Sequence, residues 1–119
     1  MQKKTMLAGA ALLWSVSTLA LAHAHLASSE PADKAVAVAP QALTLTFTED
    51  IEPAFSGVTL LDGQQKAVAS GKAQRDAGQP NRLTVPLQAP LRPGDYQVRW
   101  HVLSVDGHKT QGSYRFSVK

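Results

Sequence analysis

The sequence predicts an all-β protein: an immunoglobulin-like Greek-key β-sandwich of about seven short strands, preceded by a cleaved secretion signal. Three observations carry this. Apolar and polar residues alternate with period two in run after run. Turn-forming residues punctuate the runs at short intervals. No window after residue 22 sustains a helical apolar stripe. An open barrel is the lesser alternative.

Residues 1–22 read as the signal. Lys3 and Lys4 make a positive start, "MLAGAALLWSVSTLALA" carries no charge, and Ala20-Leu21-Ala22 is an A-x-A cleavage pattern. A retained membrane anchor competes with this reading. The run is short for a spanning helix, however, and Ser15, Ser17 and Thr18 dilute it. The absence of an Arg-Arg pair argues for unfolded, Sec-type export rather than twin-arginine export.

Removing residues 1–22 of 119 leaves 97 residues as one domain, 23–119, with no internal repeat. Lys3 and Lys4 go with the signal, so the formal charge falls from +3 to +1. No basic run with interleaved aromatics supports nucleic-acid binding. No basic amphipathic helix supports a membrane-surface role.

The strands follow in order. "ADKAVAVAP" has the residues of a helical turn, but Pro40 and alternating valines make it an extended loop. "LTLTFT" puts Leu43, Leu45 and Phe47 on one face and Thr44, Thr46 and Thr48 on the other. "FSGVTLL" gives a short run around Val58 and Leu60. "RLTVPL" gives Leu83, Val85 and Leu87, and Pro86 demotes it to an edge strand or a bulge. "YQVRWHV" aligns Tyr96, Val98, Trp100 and Val102. "SYRFSV" aligns Tyr114, Phe116 and Val118. Phe47, Tyr96, Trp100 and Phe116 read as core. Between these runs lie Glu30-Pro31-Ala32-Asp33, Glu52-Pro53, Asp62-Gly63, Gly78-Gln79-Pro80-Asn81, Arg92-Pro93-Gly94-Asp95 and Asp106-Gly107.

Cysteine is absent, and Met1 and Met6 both lie in the signal. The domain therefore has neither disulfide nor soft sulfur ligand, and a transition metal would have to be held by imidazole, amine and carboxylate. Four histidines fall in two clusters: His23 and His25 at the start, His101 and His108 in "WHVLSVDGHKTQG". On extended chain, Asp106 and His108 would point the same way. Asp-Gly is equally a common turn, with His108 then a surface residue. Both readings can hold together.

Cleavage after Ala22 makes His23 the first residue. Its amine and its Nδ1 could then grip one ion as a pincer. With His108 and Asp106 this makes a nitrogen-rich set suited to tetragonal Cu(II). A rival site needs only His-Ala-His: the amine, two deprotonated amides and His25 in a square plane. Cleavage after Ala24 would instead leave His25 first. The plainest reading is that these histidines follow a signal and bind nothing. His101, opposite in direction to Trp100, reads as a surface residue.

Together "HAHLASSEPADKA", "LTFTEDIEPAFSGVTL" and "LRPGDYQVRWHVLSVDGHKTQGSYRFSV" resemble the CopC copper-binding and copper-resistance family, which includes PcoC and YobA, over residues 23–119. The likeness to YobA is the stronger. The resemblance implies a periplasmic Greek-key sandwich that binds Cu(II) and catalyses nothing. Its implied metal ligands are His23, Asp106 and His108. Glu49 is the nearby acid, ahead of Asp50, and His25 is a possible support. It further implies a small monomeric carrier or buffer that exchanges copper with an inner-membrane transport protein of the CopD type. The Met-rich Cu(I) segment of some members has no counterpart: "DGQQKAVASGKAQRDAGQP" holds neither Met nor His. Two other readings remain beside this one: a copper-dependent oxidative enzyme using the same pincer, and a structural or adhesive sandwich whose histidines are incidental.

Overall fold

A computed structural model describes residues 24–119. The expected signal and His23 lie outside the described residues. Among these, no helix is long and apolar enough to cross a membrane.

Eight strands build two four-stranded sheets. One sheet is ordered β1 (Leu26–Glu30), β3 (Ala42–Phe47), β6 (Gln79–Pro86), β5 (Gln74–Asp76). The other is ordered β2 (Val36–Ala37), β8 (Lys109–Val118), β7 (Gly94–Leu103), β4 (Gly57–Leu61). All pairings are antiparallel except β2 with β8, and the chain crosses repeatedly between sheets. The expected sandwich is present.

The alternation read from the sequence is what joins the sheets. Leu43, Leu45 and Phe47 of β3 and Leu83 and Val85 of β6 face Leu60, Val98, Trp100, Val102, Tyr114, Phe116 and Val118 across the core, all buried. Phe47 and Trp100 meet in a T-shaped arrangement with ring centres 5.1 Å apart, and Tyr96 stacks on Phe116 with centres 5.7 Å apart. Each such pair adds about 0.5–1.5 kcal/mol beyond its buried area. The Tyr96 hydroxyl donates to the Arg92 carbonyl at 2.8 Å, tying the strand start to the turn before it. Gly112 lies opposite Trp100 in the β7–β8 ladder. A Cβ there would sit 2.6 Å from the indole, so only glycine lets the ring lie flat against the strand.

Two expectations need correction. β6 is an interior strand, not an edge: Pro86 is its last residue, exposed and aligned with Ala42, and pairing carries on around it, with the Gly71 N–H donating to the Pro86 carbonyl (2.7 Å) and the Leu87 N–H to the Gln41 carbonyl (3.0 Å). The chain also forms three strands that the alternation did not reveal, β1, β2 and β5, and all of them lie at sheet edges.

Three segments meet at one end of the sandwich. The β7–β8 hairpin turns there, through residues 104–108. Residues 48–52, leaving β3, run beside that turn: the Val105 N–H donates to the Asp50 carbonyl (3.1 Å), the Glu52 N–H to the Leu103 carbonyl (2.8 Å), and Ile51 bridges Ser104. The start of the described chain is the third. Ala24 is fully buried in the core cluster, and His25 exchanges two hydrogen bonds with Thr48.

Candidate metal centre

The hairpin turn follows from its residues. The Ser104 N–H donates to the His108 carbonyl at 2.9 Å, and the Gly107 N–H returns to the Ser104 carbonyl at 2.9 Å. This leaves three residues, Val105 to Gly107, at the tip. Such loops place a glycine in the left-handed region, and Gly107 has φ +94° with open space where a Cβ would be.

This turn brings Asp106 and His108 together, rather than the strand geometry that the spacing suggested. His108 Nδ1 lies 3.0 Å from Asp106 Oδ1. The same oxygen accepts a short hydrogen bond from the Ser104 hydroxyl and a long one, 3.4 Å, from the His108 N–H. Ser104 is completely buried, so the carboxylate is oriented from below by a residue rooted in the core. The Ser104 hydroxyl, followed by the His108 imidazole, holds the Asp106 carboxyl below its ordinary value. The pair stays open to solvent, with side chains 47% (His108) and 40% (Asp106) exposed. An ion pair this exposed adds little to stability, whereas a metal could reach it.

The start of the described residues joins the turn through one side chain. Thr110, two residues beyond His108, donates its hydroxyl to the Ala24 carbonyl at 2.7 Å, across 86 positions of sequence. The His25 N–H donates to Thr48 Oγ1 (2.9 Å), and the Thr48 N–H donates to the His25 carbonyl (2.8 Å). The residue peptide-bonded to Ala24 is His23.

The remaining expected residues divide. Glu49 is half-buried on the segment beside the turn. His101 is exposed on the outer face of its sheet, over Gly57, as strand alternation required. Among the described residues, no three His, Asp or Glu side chains gather as a metal-holding group, so Asp106 and His108 form a pair that neither Glu49 nor His25 completes. Ser104, Thr110 and Thr48 went unnoticed in the sequence. For Ser104 a signal existed: a hydroxyl two residues before Asp106 is a common turn device. Nothing local marks the two threonines.

A disulfide-free Greek-key sandwich with an imidazole–carboxylate pair at one end, beside the start of the described residues, defines a narrow class. Residues 26–119 match the CopC domain, and the chain belongs to that family. It is 48% identical to Protein YobA of Escherichia coli strain K12 over 99 residues, 82% of this chain and 80% of YobA. The crystal structure of CopC from Methylosinus trichosporium OB3b superposes with a TM-score of 0.76 at 36% identity, covering 82% of this chain and 94% of that one. PcoC, described as a methionine-rich copper resistance protein from Escherichia coli, superposes with a TM-score of 0.74 at 32% identity, covering 82% and 99%.

Proposed function

We propose that this chain is a periplasmic Cu(II) carrier or buffer in copper homeostasis or resistance. It binds the ion through the His23 amine and imidazole, His108 and Asp106. The observation that carries this is the Thr110–Ala24 hydrogen bond, which holds the residue after His23 against the strand that begins at the Asp106–His108 turn. His108 Nε2, on the ring edge away from Asp106, is the nitrogen assigned to copper. Asp106 orients that ring from Nδ1; to join the same ion its carboxylate swings away from Nδ1, because a group bonded to Nδ1 lies on the far side of the ring from a metal on Nε2.

The same contacts favour cleavage after Ala22. Cutting after Ala24 would discard a fully buried residue and put a charged amine where the His25 amide donates to Thr48. They also disfavour the terminal square-planar site, which must deprotonate that same amide. A set of nitrogen and oxygen donors, with no Met or Cys after residue 22, suits Cu(II) and not Cu(I). The reading includes a monomer that exchanges copper with an inner-membrane transport protein of the CopD type, and family membership is its only support on that point.

Mass spectrometry of the exported protein should give His23 as the first residue. In that processed form His23→Ala and His108→Ala should each weaken Cu(II) binding by orders of magnitude in calorimetric titration. They should also change the Cu(II) EPR spectrum, while His25→Ala leaves it nearly unaltered. Wild-type affinity in both His23→Ala and His108→Ala would refute the reading.

A further inference from the structure

We propose that Thr110 is a positioning residue for the copper site: its hydroxyl latches the Ala24 carbonyl and so fixes the amino terminus relative to the turn that carries His108. This rests on the reading of His23 and His108 as ligands.

The inward positions of β8 alternate as Thr110, Gly112, Tyr114, Phe116 and Val118, and Thr110 is paired with the buried Val102. Valine would fill such a position without a polar atom. A hydroxyl turned toward the core is costly unless bonded, and this one is bonded to Ala24 at 2.7 Å. Ala24 in turn has no exposed surface, its methyl packed in the core cluster. On its other side the chain is held by the paired His25–Thr48 bonds. The two residues that follow the proposed ligand are therefore gripped from both sheets, Ala24 by β8 through Thr110 and His25 by Thr48 at the end of β3.

The consequence is preorganisation. A chain start attached at one point only would sample many positions, and the apparent affinity falls by the fraction of molecules in the binding-competent one. Because Thr110 lies in the strand that begins just after His108, the latch sets the separation of the two ligand groups without touching the metal. Coupling of this kind is reciprocal: if the latch favours copper, copper must favour the latch.

The test uses the exported, processed protein. Thr110→Val should weaken Cu(II) binding roughly fivefold, the equivalent of one net hydrogen bond, in competition titration against a chelator. In the metal-free form, amide exchange at His25 should speed up by a similar factor, and Cu(II) should slow it again. Thr110→Ser should restore both. Thr48→Val, at an exposed position that leaves the core untouched, should act in the same direction and serves if Thr110→Val fails to fold.

Wild-type copper affinity in folded Thr110→Val, or unchanged His25 exchange, would overturn the latch. If His23→Ala and His108→Ala also bind as wild type, the ligand assignment itself has failed. If those two lose binding while Thr110→Val and Thr48→Val do not, only the latch has.

Discussion

Replacing Gly107 with alanine isolates the cost of the turn that brings Asp106 to His108. Gly107 has φ +94°, where an L-residue is strained, yet a Cβ built there meets nothing within 4 Å. Its N–H bond to the Ser104 carbonyl survives the change. The penalty is therefore conformational alone, about 1–2 kcal/mol. For a domain of this size that lowers Tm by roughly 4–15 °C. A turn that relaxes must also be reformed to bind metal, so Cu(II) affinity should fall by up to about 5–30-fold. Urea denaturation should show a lower midpoint with an unchanged slope, and chelator competition should report the affinity. Gly107→Asn is the control, because asparagine tolerates left-handed backbone, and it should lose less than half as much. Alanine behaving as wild type, or asparagine costing as much as alanine, would refute this account of the turn.

Two pH effects follow from buried and bonded groups. The Asp106 carboxyl is held below its ordinary 3.8, first by Ser104 and then by His108. Its contribution to stability is present above that value and lost as pH falls through the lower folded value. Ser104→Ala should bring the Asp106 titration back toward 3.8 by carbon NMR and flatten stability across the acid limb; an unmoved titration would contradict the assigned cause. At the alkaline end, burial pushes the Tyr114 phenol up to about 12 from 10.0. Stability should therefore fall as pH rises between those values, by roughly 2–3 kcal/mol in all. Tyr114→Phe should abolish that alkaline slope in urea melts, and a slope that persists would point to another group.

How much of this was legible depended on where the physical cause lay. β3, β4, β6, β7 and β8 each bury one face against the opposite sheet, and that burial writes itself into the chain as alternation. Strands β1, β2 and β5 are held by a neighbour's backbone. "LASSE" and "QRD" carry no apolar rhythm because neither strand has a buried residue, whereas β4, also an edge strand, buries Leu60 and Leu61. The rule against proline in interior strands misjudged β6, because it weighs a missing N–H without knowing that Pro86 is the strand's last residue.

The candidate centre divides in the same way. By itself the sequence determined the donor chemistry, since a domain without Met or Cys has only nitrogen and oxygen to offer, and it supplied Asp106-Gly107-His108, whose meeting needs one local turn. Only the tertiary structure decided what stands around that turn. Ser104 orients Asp106 because the hairpin buries it, and Thr110 reaches Ala24 because folding closes an 86-residue separation. Hydrogen bonds between segments so distant leave no periodic or compositional trace. Either partner alone is an ordinary threonine or alanine, and the pairing exists only after the sheets have packed.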